Sequence, residues 1–156
     1  MELYSVQDII EYGIQIEKES FAFYTKASEI VKDDEVKELV KLLASEEVDH
    51  QNRLKGLIDE QKVSAEELDR ELELDETLMD RIIQTEEITA QSTSMDVLNV
   101  AFEREKNTME TYTMLSTLSN IEGDILDIFE DLRLQEKGHM NKIQYRIDLL
   151  NKGAKA

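Results

Sequence analysis

Apolar residues recur at spacings of three and four along four long stretches of the chain, the mark of helices that bury one face. Ser5-Val6-Gln7-Asp8 reads as the first start, with Ser5 as N-cap and Asp8 reaching back to its backbone N–H in a variant of the capping box. Ile9, Ile10, Gly13, Ile14, Glu17, Phe21, Tyr24 and Ser28 then share a stripe. Lys32-Asp33-Asp34-Glu35 is a polar break so short that the second helix must return antiparallel to the first. That helix carries Val36, Leu39, Val40, Leu43, Glu47, His50, Leu54, Leu57 and Ile58 and ends near Gln61. Ser94-Met95-Asp96 caps a third helix with Val97, Leu98, Ala101, Phe102, Glu105, Met109, Tyr112 and Leu115 on its stripe. After a turn around Asn120, the fourth carries Ile125, Ile128, Phe129, Leu132, Glu136, His139, Ile143, Ile147 and Leu150, with Gly153 as C-cap.

Between the two pairs the pattern breaks into short pieces. Ser64-Ala65-Glu66-Glu67-Leu68 and Asp75-Glu76-Thr77-Leu78-Met79 each read as a brief capped start, so residues 62–93 form a long crossover with one or two short helices. The acidic run from Glu66 to Glu76 reads as a solvated face. The predicted fold is all-α: one domain over residues 1–156, with helical hairpins at about 5–61 and 94–152 packed as a four-helix bundle.

The halves repeat. A shift of 88 positions lays Asp8 on Asp96, Glu17 on Glu105, Lys18 on Lys106, Tyr24 on Tyr112 and Ser28 on Ser116. A shift of 89 lays Glu47 on Glu136, His50 on His139, Val36 on Ile125 and Leu54 on Ile143. Two copies of one hairpin pack about a pseudo-twofold axis, and matching polar residues converge on it.

The residues that interrupt the apolar stripes carry the chemistry. His50 and His139 are the two histidines of the chain, and each has a glutamate three positions before it, Glu47 and Glu136. On a helix that step aims a carboxylate and an imidazole at one point, as a metal site needs. Glu17 and Glu105 sit mid-stripe, where a surface glutamate does not belong. Alone, each has an ordinary reading: a glutamate that reaches solvent or a lysine, a histidine satisfied within a core. Together, four ionised carboxylates and two neutral imidazoles carry −4, which two divalent cations would balance. The mixed oxygen and nitrogen set suits iron or manganese, and zinc less specifically. Gly13 and Gly138 read either as relief of crowding near this cluster or as packing residues.

Composition sharpens the picture. There is no proline to interrupt a helix and there are only five glycines to make turns. The net charge of −18 argues against general nucleic-acid binding, which needs clusters of Lys and Arg. The absence of cysteine excludes disulfides, thiolate metal sites and iron–sulfur centres within these residues. The first residues lack the features of a signal peptide and no run of about 18 apolar residues occurs, so no membrane segment is expected and the cytoplasm is the default compartment.

These residues resemble the ferritin-like di-iron carboxylate proteins, in particular the di-iron domain of rubrerythrin, and bacterioferritin. That family's pattern has a helix-one Glu followed seven residues later by Tyr, then Glu-x-x-His on helix two, and the same order in the second half. Glu17 with Tyr24, Glu47 with His50, Glu105 with Tyr112 and Glu136 with His139 match it over essentially the whole chain. The resemblance implies a ferritin-like bundle holding two iron ions. Glu47 and Glu136 would bridge them, while Glu17 with His50 and Glu105 with His139 would complete the ends. Tyr24 and Tyr112 would either hydrogen-bond a ligand carboxylate or serve as core tyrosines, and Glu19 and Glu46 fall to the surface. The pattern departs from rubrerythrin in three ways: no cysteine for a rubredoxin-like module, Thr108 where a further glutamate would fall, and the shorter Glu-x-x-His spacing in the second half.

The implied activity is that of an oxidoreductase, a peroxidase or ferroxidase, acting on peroxide or dioxygen with electrons from an external donor, in a homodimer. An iron-storage cage subunit and a non-catalytic helical interaction module, whose buried polar residues set register, are the alternatives.

Overall fold

The computed structural model describes residues 2–74, 87–118 and 121–155. Its elements in chain order are β1 (Glu2–Ser5), α1 (Val6–Ile30), α2 (Asp34–Asp59), α3 (Ala65–Asp69), β2 (Glu71–Leu74), α4 (Ser94–Ser116) and α5 (Asp124–Lys155). Helices α1 and α2 pack as one antiparallel hairpin and α4 and α5 as another, and the hairpins meet through α1 on α4 and α2 on α5. The result is the all-α bundle of two antiparallel hairpins that the stripes predicted.

The starts are capped as the sequence leads one to expect, with one shift. The Ser5 hydroxyl accepts from the Asp8 N–H while the Asp8 carboxylate accepts from the Ser5 N–H, both at 3.0 Å. Asp33 caps α2 by accepting from the Val36 N–H at 2.9 Å. At α4 the cap is Thr93 rather than Ser94: its hydroxyl and Asp96 form the reciprocal box, and Ser94 is the first helical residue. The box requires a three-residue step to the carboxylate, which places the cap one residue earlier. Gly153 does not close α5, which continues through it to Lys155. A glycine caps by adopting a left-handed conformation, and Gly153 remains in the helix instead. Helix α2 ends differently: Gln61 takes φ +54, a left-handed turn made without glycine.

Burial follows the stripes closely. On α1, however, Phe21 is 38 % exposed, while Ile16, Ser20 and Ala27 are buried. Counting about 100° per residue, Phe21 falls toward one edge of the stripe while Ile16, Ser20 and Ala27 fall toward or just past the other, so the covered arc of α1 is turned toward the latter. The core falls into two apolar clusters. One gathers Val6, Ile9 and Ile10 with Leu54, Leu57, Leu115, Phe129 and Leu132. The other gathers Ala27, Val36, Val40 and Leu43 with Val97, Leu98, Ala101 and Ile143. On every long helix the glutamates and histidines of the stripe lie between the two.

The crossover holds one feature that helical periodicity does not signal. Ser64 caps the short α3, as expected, by accepting from the Glu67 N–H at 3.1 Å. The chain then pairs β2 antiparallel with β1, Glu2 opposite Leu74 and Ser5 opposite Glu71. Leu72 and Leu74 turn into the core while Glu71 and Glu73 face solvent, so part of the acidic run is the outer side of a strand. The short helix predicted at residues 75–79 and the turn at Asn120 lie outside the described residues. Among the described residues no helix is long and apolar enough to cross a membrane.

Candidate metal centre

Each long helix delivers its polar residue to one point at mid-height. Glu17, Glu47, His50, Glu105, Glu136 and His139 are all buried, at 2 % exposure or less. They form two groups of four: Glu17, Glu47, His50 and Glu136 in one, and Glu47, Glu105, Glu136 and His139 in the other. Within each group the potential ligand atoms lie within 4.8 Å of one another. Glu47 and Glu136 belong to both, so the pseudo-twofold axis passes between them.

The two imidazoles are nearly parallel, with ring centroids 5.6 Å apart and planes at 12°. Both turn Nδ1 inward. His50 Nδ1 lies 3.1 Å from Glu136, 3.3 Å from Glu17 and 3.7 Å from Glu47. His139 Nδ1 lies 3.2 Å from Glu47 and 3.4 Å from both Glu105 and Glu136.

Glu17 and Glu105 are held from the opposite repeat. The Tyr112 hydroxyl donates to Glu17 Oε1 at 2.6 Å, and the Tyr24 hydroxyl donates to Glu105 Oε1. Both tyrosines are therefore hydrogen-bonded to a carboxylate of the cluster, each across the bundle. Burial above all, reinforced by nearby carboxylates, keeps both phenols well above their ordinary range and hence as neutral O–H donors. Gly13 makes room here: a Cβ on it would come within 3.1 Å of Leu54 and 3.7 Å of the Tyr112 hydroxyl. Gly138 relieves no crowding, since a Cβ there would meet nothing within 4 Å. Thr108 is buried, and its hydroxyl bonds to the Arg104 carbonyl on its own helix at 2.9 Å.

The electrostatics favour positive charge. Burial, followed by repulsion from Glu47, pushes the Glu17 carboxyl up to about 8. Burial by itself would lower the two imidazoles, yet contact with Glu136 and the other carboxylates outweighs it and raises His50 to about 12 and His139 to about 11. Without a cation these shifts favour a cluster that offsets its charge by holding protons.

Hydrogen bonding tests whether a metal fits. Among the described residues, Glu47 Oε1 and Oε2, Glu105 Oε2, Glu136 Oε1 and His139 Nδ1 are buried with no hydrogen-bond partner. Buried polar atoms are nearly always satisfied, and leaving one unmade costs about 1–3 kcal/mol. Five such atoms on four converging side chains fit a cation in the space they surround. Carboxylates and imidazoles are the donors that a pair of iron or manganese ions takes.

Two contacts were not foreseen. Glu46, expected at the surface, is partly exposed, its side chain at 29 %, but also turns inward. It accepts from His139 Nε2, and its other oxygen lies 3.6 Å from Lys142 Nζ. His50 Nε2 meets Gln135 Oε1 at 2.6 Å. Glu46 and Gln135 are outside the apolar stripes, which is why periodicity missed them. The signal that finds them is the repeat: the shift of 89 lays Glu46 on Gln135, each immediately before a shared glutamate. Glu19 does face outward, accepting from Gln15 at 3.3 Å. A groove of about 400 Å³ lined by Glu46, Asp49, Gln135, Gly138, His139 and Lys142 lies over the outer side of the cluster.

No curated protein and no solved structure matches the chain. A family model described as Rubrerythrin matches residues 8–145, a span that holds all four long-helix contributions to the cluster. With the paired Glu and His clusters inside that span, the chain belongs to the rubrerythrin family of di-iron carboxylate proteins.

Proposed function

We propose that the chain is a dinuclear oxidoreductase that reduces peroxide or dioxygen, or oxidises Fe(II), at this cluster. Glu47 and Glu136, common to both groups, would hold both metal ions, with Glu17 and His50 completing one end and Glu105 and His139 the other. Iron is the proposed metal and manganese the alternative. The observation that carries the reading is the sharing of Glu47 and Glu136 between two four-residue groups whose innermost atoms lack partners.

A bound pair of Fe(II) ions supplies two electrons, which with two protons convert one hydrogen peroxide into two waters. The protein contributes placement and charge. Glu47 and Glu136 would place negative charge beside both ions, and the tyrosine hydrogen bonds fix the orientation of Glu17 and Glu105. The apolar clusters above and below exclude bulk water from the bundle axis, which strengthens the electrostatic interactions inside. The groove beside His139 gives a small oxidant its approach. An external electron donor restores the reduced state, as no cysteine is present in these residues to hold a redox centre.

The test is anaerobic loading with Fe(II) followed by stopped-flow mixing with hydrogen peroxide or dioxygen. Oxidation well beyond that of the Glu47→Ala, Glu136→Ala double variant is expected, and equal rates would reject the assignment.

A further inference from the structure

The two halves of the centre match in the residues that face inward and differ in those that face outward. Glu46 and Gln135 occupy equivalent positions in the two repeats, and so do Arg53 and Lys142. Across the axis each of the first pair reaches the outer nitrogen of the other repeat's histidine. On one side a carboxylate, Glu46, accepts from His139 Nε2. On the other a neutral amide, Gln135, faces His50 Nε2 at 2.6 Å.

The orientation of that amide is set by the next residue. Gln135 Nε2 donates to Asp131 at 2.8 Å, so its oxygen must be the end turned to His50, and His50 Nε2 must carry the hydrogen. A carboxylate has only acceptors, so His139 Nε2 likewise carries the hydrogen. Both contacts therefore leave Nδ1 free to bind a cation. They differ in charge. The negative charge on the His50 side sits one link farther out, on Asp131, where Arg53 pairs with it. On the His139 side it touches the ring, and Lys142 stands off at 3.6 Å with its side chain 49 % exposed. An anionic acceptor on the outer N–H makes an imidazole a stronger donor through its other nitrogen, and such outer partners typically change metal affinity about 10–100-fold.

We propose that Glu46 and Gln135 are positioning residues that rank the two metal positions: the one completed by His139 and Glu105 fills first and holds its ion more tightly, and the one completed by His50 and Glu17 fills second. The ranking rests on the dinuclear reading above, and it concerns affinity rather than turnover.

Mn(II) is a suitable probe because it takes the same oxygen and nitrogen donors as iron and its binding is read directly, without turnover. Calorimetric titration of the metal-free protein is expected to show two steps. Glu46→Gln should weaken the tighter step about 10–100-fold and leave the other within about threefold. Gln135→Glu should tighten the weaker step. The deciding measurement is anomalous scattering from crystals given one equivalent of Mn(II). Occupancy should concentrate beside His139 in the natural chain and move beside His50 in the Glu46→Gln, Gln135→Glu double variant, which conserves composition and side-chain size. Equal occupancy in the natural chain, or a distribution that does not move in the double variant, overturns the ranking while leaving two bound ions. Failure of the natural chain to bind two ions overturns the dinuclear reading itself.

Discussion

At the scale of the residue, this protein is shaped by buried carboxylates that lack ordinary partners. Tyr112 and Tyr24 each stabilise one of them, and removing either hydroxyl leaves an oxygen of Glu17 or Glu105 without its donor. Tyr112→Phe is expected to cost about 1–3 kcal/mol of stability in the metal-free protein, measured by urea unfolding; a cost near zero would show that Glu17 does not depend on this bond. Protonation supplies a second prediction. Glu17 rises from 4.5 to about 8, and His50 and His139 rise from 6.5 to about 12 and about 11, so the folded metal-free chain binds protons that the unfolded chain releases. Stability from these groups is complete below their unfolded values and is lost as pH rises through the folded ones. Calorimetry of chelator-treated protein should therefore give a lower Tm at pH 9 than at pH 6. Cations compete with the same protons, so their affinity should rise with pH, and loading unbuffered protein near pH 7.5 should release at least one proton per chain. A release of none would show that the cluster is not protonated when empty.

At the scale of the element, the helices are written in periodicity and caps, and deviations occur where a turn or a neighbour intervenes. Gln61 adopts a left-handed conformation that glycine takes more easily, at a typical cost of about 1–2 kcal/mol for a residue with a Cβ. Gln61→Gly is expected to stabilise the chain by about 1 kcal/mol, since the greater freedom of glycine when unfolded offsets part of that relief. Thermal melting would show this as a rise of a few degrees, and a fall would mean that the Gln61 side chain contributes more than its backbone costs. The opposite sign holds at Gly13. There Ala would press on Leu54 and approach Tyr112, so Gly13→Ala should destabilise by about 1–3 kcal/mol despite the helical preference of alanine. The β1–β2 ribbon has no counterpart in the helical pattern. Alternation over Glu71, Leu72, Glu73 and Leu74 is visible, but four residues are too few to tell a strand from a loop until the partner is known.

At the scale of the whole molecule, two apolar clusters hold a polar layer between them, and a cation pair would join the hairpins through residues of all four long helices. Binding to the folded state alone stabilises it by mass action, by about 2.7 kcal/mol per site at a hundred times the dissociation constant. Loading with Fe(II) or Mn(II) should accordingly raise the melting temperature, and chelation should reverse the rise; an unchanged Tm would argue against ligation across the hairpin interface. The assembly proposed is a homodimer. Light scattering should then give twice the chain mass of 18.1 kDa, whereas a much larger closed shell would support storage.

The sequence by itself determined the helices, their pairing into hairpins and the six residues that gather at mid-bundle, because each of these is written in local spacing or in the repeat. Caps and burial then differed by a residue here and there, at Thr93, Phe21 and Gly153, where the box geometry or a neighbouring helix decides. Only the tertiary structure decided what crosses the axis: Tyr112 bonds to Glu17 and Tyr24 to Glu105, rather than each to the glutamate two turns away on its own helix. It also turned Glu46 and Gln135, residues outside every apolar stripe, onto the outer edges of the histidines. A stripe records only which side of a helix is covered. Which side chain from the opposite helix reaches a given nitrogen depends on how the hairpins are rotated and offset, and the spacing within either one does not contain that information.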